Sequence, residues 1–176
     1  MHTAKPGMPQ GYYILAATIA DPDRCQPIRE SLLQLRSSGP GKLHWTDEND
    51  RRRKRLVTTV AGFNLDHAVI VGAPLNTRKQ ERARAQCLEQ LLFDLGQRNI
   101  SSAWIETRGA ALDSADLKLV DAFRARGSLP RELRVGFGQP ADEPLLWLPD
   151  MPAGAVGVAI RDGDPSLLNT LVPSAG

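Results

Sequence analysis

The sequence predicts an α/β fold, with a sheet that is mostly parallel in its later half. Three observations carry this. Short runs rich in β-formers alternate with longer stretches of helical periodicity. The first two of these runs are almost continuously apolar, as buried strands are. The helical stretches place apolar residues on one face only. The chain of 176 residues has 41% hydrophobic and 24% charged residues, enough to build one well-packed domain.

Each element follows in order. Met1 to Gln10 has two prolines and no periodicity, so it reads as a loop. Tyr12 to Ala20 is an apolar run bounded by Gly11 and Asp21-Pro22, and predicts a central strand. Asp23 can cap a helix to about Arg36, with Ile28, Leu32 and Leu35 on one face. Ser37 to Gly41 ends it. Lys42-Leu43-His44-Trp45 is a short extended piece, and Thr46 opens a polar helix to about Ala61 with Leu56, Val57 and Val60 inward. Ala68 to Ala73 predicts a second buried strand. A long helix covers about Thr77 to Gly96, with Ala83, Cys87, Leu91 and Leu95 at spacing four and Gly96 suited to its end. Ala103-Trp104-Ile105-Glu106 is a third strand. Asp113 or Ser114 opens a helix to about Arg126, with Leu117, Val120 and Phe123 inward. Leu133 to Phe137 is a fourth strand. Leu145 to Ile160 is helical, with Pro149 and Pro152 kinking it or delaying its start. Gly163 to Gly176 reads as a loose tail.

Composition narrows the function classes. The net charge of +2 does not by itself argue for nucleic acid, but the cations are uneven. Arg51-Arg52-Arg53-Lys54-Arg55 is a run, and Arg78, Lys79, Arg82 and Arg84 form a second basic stretch. Either could present a phosphate-binding face. The blander reading is a solvated helix face balanced by Asp47, Glu48, Asp50 and Glu81. Cys25 and Cys87 lie far apart without a CxxC pattern, which fits buried thiols rather than a zinc site. No signal peptide is visible, and no apolar stretch reaches the ~20 residues a membrane span needs. The expectation is a cytoplasmic protein without membrane contact. GxGxxG, P-loop, HExxH and GxSxG motifs are absent from the sequence.

Four residues stand out as candidate site residues. Glu106 ends a strand, where α/β sheets keep their sites, or is a loop carboxylate paired with Arg108. Asp150 is either an N-cap before Met151-Pro152 or a carboxylate projected over the strand ends. Small residues Ala153, Gly154, Ala155 and Gly157 would let its helix lie close to a sheet. Lys42 and His44 alternate with Leu43 and Trp45, so both project to one side. They could contact phosphate or relay a proton, or simply be solvated.

Taken together, Gly11 to Ile19, then Lys42-Leu43-His44-Trp45, then Glu106, then Leu148-Pro149-Asp150-Met151-Pro152-Ala153-Gly154-Ala155, resemble a bacterial family of unknown function with a ribonuclease H-like fold. The resemblance covers about Gly11 to Ile160. It implies a three-layer arrangement in which helices flank a mixed sheet, all within one domain. It implies a Mg²⁺- or Mn²⁺-dependent nuclease, with Glu106 and Asp150 as metal ligands and Lys42 and His44 on phosphate. Members usually open with Asp-Glu-Ser-Gly on the first strand. Here Met1 to Gln10 contains no acid, and Pro149 stands where an alanine is usual. Two-metal hydrolysis needs several carboxylates around cations ~4 Å apart. The departure therefore opens the alternative of a non-catalytic scaffold that binds nucleic acid or a protein. An unpaired place beside Tyr12 to Ala20 would also invite a homodimer. If Met1 is a misassigned or truncated start, the reading frame upstream of it should encode a β-rich segment containing Asp-Glu; a stop codon or a non-β sequence there would refute this.

Overall fold

The computed structural model describes residues 2–3, 11–36, 43–75 and 79–172. It is a mixed α/β structure with two small sheets, one antiparallel and one parallel. The first sheet has the order β1 (His2–Thr3), β2 (Gly11–Ile19), β3 (Asp66–Leu75). In it, β1 runs antiparallel to β2, with His2 opposite Tyr13 and Thr3 opposite Tyr12. The second pairs β4 (Ser102–Glu106) with β5 (Arg134–Gly138) in parallel, Glu106 opposite Gly138. The helices are α1 (Cys25–Leu35), α2 (Asp50–Gly62), α3 (Gln80–Gln97), α4 (Ala110–Ala125), α5 (Asp150–Asp162) and α6 (Ser166–Leu171).

The chain groups into two compact units, each drawn from two segments. The first takes Met1–Leu15 and Ile70–Gln139; the second takes Ala16–Val69 and Pro140–Gly176. The divisions fall inside β2 and inside β3.

In the first unit, Tyr13 and Cys87 form a small core with Leu15, Ile70 and Ala83 packed on it. A Cβ at Gly72 would come within 2.9 Å of Cys87 Sγ, so glycine there lets α3 approach the strand. Along α3 the buried stripe is Cys87, Leu88, Leu91, Leu92 and Leu95. Gly96 does not end this helix: it packs on Pro130, and Asn99, in the left-handed region at φ 57°, marks the exit. The α4 stripe is Asp116, Val120 and Phe123. Leu117, expected inward, is exposed.

In the second unit, α2, α5 and α6 pack together, and α1 packs on a 3-10 turn at Pro144–Trp147. A 3-10 turn at Pro22–Arg24 precedes α1, capped by Asp21 rather than Asp23: the Asp21 carboxylate accepts from the Asp23 N–H at 3.1 Å. A third 3-10 turn, Trp45–Asp47, replaces the expected extended end and the first turn of the following helix. Asn49 then caps α2 by accepting from the Arg52 N–H at 2.9 Å. The two prolines delay the last long helix, which starts only at Asp150. The stretch expected to be loose after Gly163 contains α6, whose Leu171 is buried.

Candidate functional site

Glu106 is the last residue of β4 and is half-buried. The loop behind it is fixed by its own hydrogen bonds. The Thr107 N–H donates to the Gly138 carbonyl at 3.0 Å, continuing the parallel ladder. The Thr107 hydroxyl donates to Asp113, which also accepts from the Arg108 N–H at 2.9 Å. These bonds, first the Thr107 hydroxyl and then the Arg108 N–H, hold the Asp113 carboxyl below its ordinary value. Gly109 sits at φ 98° immediately before α4, a conformation that favours glycine.

Beside this loop lies an ion cluster that the sequence reading missed. Asp116, 1% exposed, accepts from Arg84 at 2.7 Å and from Arg108 at 2.9 Å. Arg108 also reaches Glu81 at 2.8 Å, and Arg84 donates to the Tyr13 hydroxyl at 3.3 Å. Burial works against the Arg84 charge, but Asp116 and Tyr13 outweigh it and raise its pKa. Arg84 is therefore not part of a phosphate-binding face; Lys79 and Arg82 of that stretch are exposed, and Arg78 lies outside the described residues. Arg108 spans Glu81 and Asp116.

Asp150 opens α5 in the second unit. Pro149, not Asp150, occupies the cap position, and Asp150 is the acid of the first turn, where the helix dipole favours a negative charge. Pro152 lies in the same turn, where a missing N–H costs no helical bond. His44 is exposed, while Leu43 and Trp45 on either side are buried. That is the alternation the sequence predicts. Lys42 lies outside the described residues.

Two of the motifs meet through packing. The Trp45 indole lies against Gly154, and any Cβ at 154 would overlap the ring. The small residue after Asp150 thus receives an indole, where the sequence reading expected approach to a sheet. Arg53 stacks over that ring, its guanidinium carbon 5.4 Å from the centroid.

Glu106 belongs to the first unit, and Asp150 and His44 to the second. Among the described residues, no group of three or more His, Cys, Asp or Glu side chains is placed to hold a metal ion. No described helix is long and apolar enough to cross a membrane. Cys25 and Cys87 are free thiols; Cys87 is buried and burial pushes its pKa up, while Cys25 is only half-buried. Comparison with known proteins finds no matching family model, no similar curated protein and no similar solved structure.

Proposed function

We propose that the chain is a ribonuclease H-like domain that binds nucleic acid without cutting it. The observation that carries this reading is the strand arrangement. An antiparallel sheet ends at the two-residue strand β1, and a separate pair β4–β5 is parallel. A longer strand in the place of β1, antiparallel to β2 and paired with β4 on its other side, would join both into the single mixed sheet the resemblance implies. The two residues of β1, His2 and Thr3, are not acids, which favours binding over cutting. The step from fold to nucleic acid is an analogy between folds.

A second reading is a Mg²⁺- or Mn²⁺-dependent nuclease. Glu106 favours it, because it closes a parallel strand at the end where such sheets keep their sites. Glu106 and Asp150 are too few for a two-metal centre; one hydrated Mg²⁺, held by one or two carboxylates, suits that donor set. His44 and Lys42 would contact phosphate in this reading. Thermal unfolding with and without millimolar Mg²⁺ or Mn²⁺, on the native chain and on Asp150→Ala, separates the two. Binding without cutting predicts no metal-dependent rise in Tm. A rise that Asp150→Ala abolishes, with cleavage of an oligonucleotide, would establish the nuclease instead.

The homodimer is a further proposal. Of the edge of β2 that faces β1, only Tyr12 and Tyr13 have a strand residue opposite among the described residues. A second copy pairing beyond Tyr13 predicts twice the chain mass in light scattering. A monomer mass at all concentrations sinks it.

A further inference from the structure

We infer that the outward face of α2, carrying Arg51, Lys54 and Arg55, contacts the phosphate backbone of a nucleic acid strand. The inference rests on the nucleic-acid reading and assigns its contact surface.

The basic run is not one surface. Leu56, Val57 and Val60 turn inward and are buried, which fixes how the helix is rotated. Arg52 and Arg53 are committed to the fold. Arg52 donates to the Leu35 carbonyl at the end of α1 and sits 3.7 Å from Glu48. Arg53 donates to the Trp45 carbonyl at 3.2 Å, pairs with Asp50 at 3.4 Å and stacks on Trp45. Glu48 and Asp50 thereby have cationic partners of their own. Arg51, Lys54 and Arg55 remain exposed, and none of them is in an ion pair among the described residues. Arg51 and Arg55 are one turn apart, about 6 Å along the axis, with Lys54 beside them.

Three like charges within one turn repel one another, and a line of phosphates relieves that repulsion. The face suits an extended polyanion rather than a membrane surface. An interfacial helix needs exposed apolar residues, and the Leu and Val residues of α2 are all buried. The face also carries no aromatic side chain on which a base could stack. Binding through it should therefore be indifferent to sequence and steep in salt.

The test is fluorescence anisotropy of the full chain with labelled oligonucleotides, single-stranded and duplex, across a salt series. Three phosphate contacts predict a slope of log K against log salt of about −2 for single strands and about −2.7 for duplex. Duplex affinity should then fall roughly 40-fold between 50 and 200 mM salt. The variant Arg51→Gln/Lys54→Gln/Arg55→Gln should lose most of that slope, while Arg51→Lys/Arg55→Lys should keep it. A native slope that the glutamine variant leaves unchanged overturns the inference and spares the nucleic-acid reading. No binding by the native chain at low salt overturns both. Equal binding of polyglutamate, or of anionic phosphatidylserine vesicles, overturns the assignment to nucleic acid.

Discussion

Asp116 and Arg84 show how a single residue can be misread from its neighbours. Arg84 closes a basic stretch, so the sequence suggested a solvated or phosphate-facing cation. Yet it lies three and four positions before Cys87 and Leu88, on the same helical face as the apolar stripe. Asp116 likewise precedes Val120 by four and takes the inward place that Leu117 was expected to fill. The signal was a charge on each stripe, one of each sign; what the sequence could not give was that the two stripes meet. Removing one partner of a buried pair leaves the other charge uncompensated. Asp116→Ala should therefore cost about 3–5 kcal/mol. A shift in the urea midpoint measures it; a loss under about 1 kcal/mol, the scale of exposed pairs, would mean the cluster is effectively solvated. Among the candidate site residues, the exposure of His44 and the strand-end place of Glu106 were legible, because both follow from alternation and strand length. The role of Gly154 was not, since nothing in a run of small residues says which large side chain will fill the space.

At the scale of elements, strands β2 to β5 and the five longer helices were legible to within a few residues, whereas β1 falls in a stretch read as a loop. Boundaries moved where a 3-10 turn took over the start of a helix, as before α1, α2 and α5. Local hydrogen bonds decide those turns, and periodicity does not report them. The short helix α6 was missed because six residues give too little periodicity to read. Two contacts that tie elements together are sensitive to acid. The Thr18 hydroxyl of β2 and His67 Nδ1 of β3 are 2.9 Å apart. Burial lowers the His67 pKa, with Asp66 opposing it. The imidazole is therefore favoured neutral in the fold: its contribution is present above its ordinary value, about 6.5, and is lost as pH falls through the lower folded value. Glu143 meets Arg29 of α1 at 2.9 Å. Partial burial works against the Glu143 charge, but the Arg29 guanidinium and the Leu145 N–H outweigh it and lower its pKa. This contribution is present above the ordinary carboxylate value of about 4.3 and is lost as pH falls through the depressed one. Unfolding midpoints across pH should thus decline in two steps. Glu143→Gln should remove the lower step alone, and His67→Gln the upper. A single step unchanged by either variant would count against both assignments.

At the scale of the whole molecule, the α/β class was legible because strands and helices alternate along the chain. The split into an antiparallel and a parallel sheet was legible only in its parallel half, where a helix connects β4 to β5. The division into two units was not legible, since no linker composition marks it and the boundaries fall inside strands. That division bears on how the protein is made. Each unit is discontinuous in sequence, so no single cleavage releases either one whole. On a ribosome, Met1–Leu15 emerges well before Ile70–Gln139, with which it belongs, and Ala16–Val69 waits for partners that begin at Pro140. Neither unit can finish before its second segment has been synthesised. Closing such distant segments is the slow part of folding. The first segment of each unit is therefore exposed to chaperones and proteases until its second segment arrives, and deleting either segment of a unit leaves the other without its partner.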